Sequence, residues 1–361
     1  QEEIARLARE SGLVLVGPNC MGIYNPALGV RQSAEQPAGE SGPVGFISQS
    51  GTHATLFTLA GTRNGIKFSK SVSYGNAAIL DSTDYLEYLK KDRETEIIGM
   101  YVEAVKDGRR LFRCLREIAE KKPVLIWRGG ESEEGARATA SHTGALAQSS
   151  VIWQTLIRQC GAIRIENLDE MIDTVKALLY LKPARGNRVG LIAMSGGQSV
   201  AIADTFAKEG LRVPELSRSS YERLSTFFNI IGGSYRNPFD ISSSFLMSEN
   251  AISNLVNMLD VMEQDPNIDC IVLELFTIIS PFSHDLEQPD PLLDTILEFK
   301  GRTKKPFLTI VTTAHKETLA IEIRDRLTGK DIPCFPSFER GARALKRLVD
   351  FYRFRREQYL N

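Results

Sequence analysis

From Gly42 onward the chain alternates short apolar or strand-like runs with longer stretches whose apolar residues recur every three or four positions. Val44–Ile47, Phe68–Ser73, Ile97–Val102 and Val124–Trp127 predict strands. Gly51–Asn64, Ser82–Lys91 and Arg109–Lys121 predict the helices between them, with Asp81 as an N-cap. Gln148–Cys160 and Leu168–Leu181 predict two further helices around a short extended piece, Ala162–Ile165. Buried runs such as Ile97–Val102, each followed by a helix, argue for a parallel sheet covered on both faces.

Lys182–Asn187, polar and marked by proline and glycine, predicts a boundary, after which the pattern begins again. Val189–Ala193, Cys270–Leu275 and Phe307–Val311 predict strands. Gln198–Glu209, Leu292–Lys300, Lys316–Leu327 and Phe338–Tyr352 predict helices. Phe228–Ser244, with its Asn-Pro-Phe-Asp, reads as an inserted loop. The expected architecture is therefore α/β: two successive doubly wound parallel-sheet domains, over residues 41–184 and 185–361. Ahead of them lie an amphipathic helix (Ile4, Leu7, Ala8) and an apolar run, Leu13–Gly17, read as a strand. A single αβ unit cannot bury its own faces, so residues 1–40 read as the remnant of a further domain and the chain as a piece of a longer polypeptide.

Composition narrows the partners. Lys and Arg total 44 against 45 Asp and Glu, a net charge of −1, which offers no field to attract nucleic acid or an anionic membrane. No apolar run approaches the roughly 20 residues of a membrane span, and no signal peptide is visible. Five scattered cysteines show no metal-ligand or disulfide spacing, so no metal site is expected and a reducing, cytoplasmic setting is.

The candidate chemistry centres on Ala140–Ala147, A-S-H-T-G-A-L-A, which lacks apolar periodicity and reads as a turn at the mouth of a site. Its His142 is either a nucleophile that carries phosphate or an ordinary surface or capping histidine. Ser50-Gly51-Thr52 and Ser195-Gly196-Gly197 each end a predicted strand and open a predicted helix, where backbone N–H groups and the helix dipole favour an anion. Neither matches a P-loop or a dinucleotide fingerprint. Glu103, after Ile97–Val102, is either the carboxylate partner of an imidazole or an acidic residue suited to a helix start. Asn76 either contacts substrate or closes a turn, and the default for Cys20 is an inert thiol. His53, His284 and His315 have no comparable context and read as ordinary histidines.

Taken in order, G-P-N-C-M-G-I, G-F-I-S-Q-S-G-T, V-S-Y-G-N-A, Y-V-E-A-V-K-D-G-R, A-S-H-T-G-A-L-A and N-P-F-D-I resemble the NDP-forming acyl-CoA synthetases, relatives of succinyl-CoA synthetase. The resemblance covers nearly the whole chain and implies flavodoxin-like domains. It implies interconversion of acyl-CoA, NDP and phosphate with carboxylate, CoA and NTP, through acyl phosphate and a phosphohistidine. By it, His142 is phosphorylated, Glu103 is its carboxylate partner, and Ser50–Thr52 and Ser195–Gly197 open the two helices that hold phosphate. Pro18, Asn19 and Cys20 would lie near the CoA thiol, with Asn76 in the substrate vicinity. CoA and ATP or ADP with Mg2+ are expected for the full-length enzyme, with an ATP-grasp domain or subunit as partner and homo-oligomers as a further expectation. Most of the family's CoA-binding Rossmann-like domain and all of its ATP-grasp domain are missing from these 361 residues, so the isolated piece is expected to be inactive. Arg128 and Gln148 depart from the family pattern.

Two alternatives differ in class. A non-catalytic region that senses acyl-CoA beside a lysine acetyltransferase would have lost its phosphorylatable histidine first, whereas His142 stands in an intact motif. A flavodoxin-like redox module fits the fold but lacks an aromatic loop for a flavin.

Overall fold

In the computed structural model, residues 1–143, 150–193, 196–228, 233–241, 249–275, 290–313 and 316–359 are described, apart from the side chains of 139–143, 196 and 197. The chain divides into two compact units, one of residues 1–175 with 354–361, the other of residues 176–353.

The first unit is wound around a six-stranded sheet. Its strands are β1 (Gly22–Tyr24), β2 (Val44–Ser48), β3 (Phe68–Ser73), β4 (Ile97–Val102), β5 (Val124–Arg128) and β6 (Ile163–Ile165), in the spatial order β1-β3-β2-β4-β5-β6. All neighbours pair parallel except β1, which runs antiparallel to β3. The five parallel strands follow the flavodoxin-like order 2-1-3-4-5, which places the topological switch point between β2 and β4. Both central strands are buried along their whole length, as expected when helices cover both faces.

The helices begin where side chains satisfy their first amides. After α1 (Glu2–Ser11), Ser50 caps α2 (Gly51–Arg63) by accepting the N–H of His53. Asp81, expected as an N-cap, forms a reciprocal capping box with Asp84 at α3 (Ser82–Lys91), and Asp107 caps α4 (Gly108–Ala119). One face of the sheet packs Ile47, Ile98, Met100 and Ile126 against Leu86 and Leu89 of α3 and Leu111 and Leu115 of α4.

The second unit holds five strands, Val189–Ala193 (β7), Phe239–Asp240 (β8), Cys270–Glu274 (β9), Phe307–Ile310 (β10) and Cys334–Phe335 (β11), all parallel in the order β11-β10-β9-β7-β8. This is the same winding with its own switch point between β7 and β9. Two apolar clusters fill it, one containing Met258, Ile271, Ile296 and Phe299, the other Phe206, Val272, Ile310 and Leu345.

Three expectations need correction, and one strand was not expected. Leu13–Gly17 is not a strand: Leu13 and Val14 are 61% and 74% exposed, and an apolar run without a ladder partner stays irregular. Gly22–Tyr24, too short and too polar in its surroundings to be predicted, takes the edge of the sheet instead. Phe228–Ser244 is not wholly a loop, because Phe239 and Asp240 pair with Ile192 and Ala193. The start of A-S-H-T-G-A-L-A is helical, since a helix (Glu133–Thr143) runs through residues 140–143, while residues 144–147 lie outside the described residues. The unit division falls at Val175, ahead of the proline-marked segment Lys182–Asn187.

Candidate functional site

The carboxyl ends of β2, β3 and β4 meet at the switch point of the first unit, and Gln49 joins them. Its backbone N–H donates to the Tyr101 carbonyl at 3.0 Å. Its side-chain oxygen accepts the N–H groups of Glu103 at 2.9 Å and Ala104 at 3.1 Å, and the hydroxyl of Tyr74 at 3.4 Å. Gln49 is almost fully buried, and burial pushes the Tyr74 phenol far above its usual range, so that it stays a donor. Gln49 was not singled out from sequence; its place directly after a fully buried strand is the signal that could have found it.

Glu103 stands on this edge. Tyr101, two residues earlier, donates to its Oε1 at 3.3 Å. Its Oε2 is buried without a hydrogen-bond partner among the described residues. A buried carboxylate oxygen left unmatched is costly. An unmatched acceptor at the switch point of an open sheet fits a donor supplied when the site fills.

Beside it begins α2. The His53 N–H is taken by Ser50 Oγ at 3.3 Å, whereas the N–H groups of Gly51 and Thr52 have no acceptor within the helix. These two amides, with the positive end of the helix dipole, suit a phosphoryl group. Gly51 lies against Met21, and a Cβ there would come within 2.6 Å of Met21 Cγ, so any side chain would have to push the half-exposed Met21 aside.

The structure gives His53 a context its sequence did not. Its imidazole stacks on Tyr101 with centroids 4.1 Å apart and planes 7° from parallel, and meets Trp127 edge-on at 4.5 Å. Its Nδ1 lies 2.9 Å from Ser50 Oγ. Burial lowers its pKa, favouring the neutral ring.

Pro18, Asn19 and Cys20 come together with Asn76. The N–H of Asn76 donates to the Pro18 carbonyl at 3.0 Å, and that of Ala78 to the Gly17 carbonyl at 2.9 Å. The Asn19 amide nitrogen lies 3.2 Å from Asn76 Oδ1. Asn19 and Gly75 both take left-handed backbone conformations, with φ of 57° and 54°. A Cβ on Gly75 would collide with the carbonyl oxygens of Pro18 and Asn19. The Lys106 ammonium donates to the Ala77 carbonyl and ties this turn to the end of β4. Cys20 is half-buried, its sulfur 3.8 Å from the Val16 carbonyl.

His142 falls in the last turn of the helix Glu133–Thr143, and its side chain lies outside the described residues. Gly196 and Gly197 open the helix Gly196–Lys208 in the second unit. Ser195, Gln148, His284 and His315 lie outside the described residues. Arg128, which departs from the family pattern, is buried with its guanidinium 5.6 Å from the Trp153 ring centre. In the second unit, Asp240 at the end of β8 is buried with Oδ1 unpartnered among the described residues, and burial raises its pKa. Among the described residues no helix is long and apolar enough to cross a membrane.

A family described as "Succinyl-CoA ligase like flavodoxin domain" matches residues 41–178. The alpha subunit of ADP-forming acetate–CoA ligase II of Pyrococcus furiosus is 31% identical over 353 residues, which is 97% of this chain and 74% of that subunit. ADP-forming acetate–CoA ligase I of Archaeoglobus fulgidus is 34% identical over 281 residues, 78% of this chain but only 39% of that longer protein. The solved structure of "dinucleotide forming Acetyl-coenzyme A synthetase 1" from Ca. Korarchaeum cryptofilum, in complex with phosphate and ADP, superposes with a TM-score of 0.82 at 25% identity, covering 98% of this chain and 74% of that one. The chain belongs to the NDP-forming acyl-CoA synthetases, the family of the ADP-forming acetate–CoA ligases.

Proposed function

We propose that this chain carries the acyl-phosphate and phosphohistidine steps of an acid–thiol ligase, with His142 as the phosphorylated residue. The observation that carries the reading is Glu103, whose buried Oε2 has no partner among the described residues and lies beside the amide-rich start of α2. In the direction of NTP synthesis, phosphate displaces CoA from acyl-CoA to give acyl phosphate. A neutral imidazole nitrogen of His142 then attacks phosphorus, the bond from phosphorus to the acyl oxygen breaks, and carboxylate leaves. The phosphorylated ring bears positive charge and a remaining N–H, which Glu103 would accept and stabilise. NDP takes the phosphoryl group and returns His142 to its neutral form.

The amides of Gly51 and Thr52 would hold phosphoryl oxygens, and Ser195, Gly196 and Gly197 would serve likewise in the second unit. Pro18, Asn19, Cys20 and Asn76 would meet the CoA and acyl portions. The nucleotide, with Mg2+, belongs to a partner ATP-grasp domain or subunit. The chain's likeness to the ADP-forming acetate–CoA ligases weighs against the acyl-CoA-sensing alternative.

The test is phosphoryl transfer by the complete ligase. Incubation with labelled NTP should place an acid-labile, base-stable phosphate on His142, and His142→Ala should abolish both label and acyl-CoA formation. A fully active His142→Ala enzyme would overturn the reading.

A further inference from the structure

Residues 101 and 103, two apart on extended chain, lie on one face, so the ring of Tyr101 and the carboxylate of Glu103 are neighbours. The 3.3 Å between the Tyr101 hydroxyl and Glu103 Oε1 is long for a hydroxyl–carboxylate pair, so the contact is a weak one whose aim depends on how the ring is held. Three things fix the ring that carries that hydroxyl. His53 lies flat on one face of it, 4.1 Å away, and Trp127 meets it edge-on at 5.1 Å and 81°. His53 is anchored through Nδ1 to Ser50 Oγ, the cap of α2. Gly129 leaves room for the hydroxyl, since a Cβ there would overlap it. Burial, reinforced by the Glu103 charge, pushes the Tyr101 phenol well above its ordinary value, so it remains a donor across the working pH range.

We propose that Tyr101 is a positioning residue for Glu103, engaging Oε1 so that Oε2 is the oxygen presented to a ligand imidazole, and that His53 and Trp127 form the aromatic clamp that aims Tyr101. The consequence for catalysis rests on the phosphohistidine reading above; the orientation of Glu103 does not. Among the described residues, Tyr101 from its own strand and Tyr74 from the end of β3 both feel the Glu103 charge, while burial lowers the Arg128 pKa on β5 against the pull of Glu131. Neither phenol ionises near neutral pH, so loss of the Tyr101 donor acts on Glu103 directly.

The experiment uses Tyr101→Phe in the complete ligase, which keeps the stacked ring and removes only the hydroxyl. Rapid-quench measurement should show phosphohistidine formation slowed roughly three- to tenfold, at unchanged KM. The carboxyl 13C resonance of Glu103, assigned through Glu103→Gln, should move from its wild-type position in the variant. His53→Ala should move both readouts the same way, and His53→Phe, which retains the stack, should restore part of the loss. If Tyr101→Phe does not fold, the two His53 variants decide the matter by the same readouts. A Glu103 resonance that stays where it is in the wild type overturns the inference, whatever the rate does. A resonance that moves while His142→Ala still turns over leaves the positioning intact and removes the phosphohistidine reading instead.

Discussion

The side-chain oxygen of Gln49 accepts the backbone N–H of Glu103 at 2.9 Å, so the end of β4 is held by a residue that follows β2. The same oxygen serves Ala104 and Tyr74. Gln49→Met keeps the bulk and leaves those donors without an acceptor, which should lower the stability of the first unit by about 1–3 kcal/mol. Both tryptophans, Trp127 and Trp153, lie in that unit, so urea unfolding followed by their fluorescence reports on it directly. An unchanged midpoint would show that Gln49 is dispensable there.

Gly75 should tolerate no side chain. Its φ of 54° and its closeness to the carbonyls of Pro18 and Asn19 act together, so Gly75→Ala should cost about 1–3 kcal/mol and displace the Pro18–Cys20 segment. Weaker CoA binding with unchanged phosphate affinity is the expected accompaniment, read by calorimetric titration of the complete ligase.

The pH response of the first unit should carry a contribution from His53. Burial lowers its pKa below 6.5, so the unfolded chain takes up a proton before the folded one does. Stability from the neutral ring is fully present above that unfolded value and is lost as pH falls through it toward the folded one. His53→Phe should flatten this acid limb, visible as urea midpoints that depend less on pH below about 6.5. An unaltered limb would assign the effect to another group.

In the second unit, Arg188 grips Asp269 through Nε at 2.9 Å and Nη2 at 2.8 Å, and its backbone N–H adds a third bond at 3.0 Å. Burial alone would raise the Asp269 pKa, but these bonds outweigh it and the net shift is downward. The pair therefore stabilises above the ordinary aspartate value, near 3.8, and the contribution fades as pH falls below it. Asp269→Asn should cost about 2 kcal/mol at pH 7 and progressively less as pH falls below 3.8, measured by hydrogen exchange of the Cys270–Glu274 amides.

Much of the winding was readable because its signals are local. Val44–Ser48 and Ile97–Val102 are apolar enough to demand cover on both faces, and Asp81 caps its helix with its own side chain. Glu103 could be placed at the sheet edge simply because it follows such a strand. What escaped depends on partners distant in sequence. Leu13–Gly17 has the composition of a strand and no ladder to join, whereas Gly22–Tyr24 has little strand character and finds β3. Pro18 and Asn76 were each noticed, but nothing in either stretch announces the bond that ties them. Gln49 and His53 acquire their roles only once β2, β3, β4 and β5 lie side by side.

The antiparallel strand β1 has an outcome beyond the site. It finishes one rim of the first sheet with three residues of opposite sense, and β6 finishes the other rim with three more. Rims so short give an incoming backbone little to copy, which discourages fibril-like growth from this half of the chain.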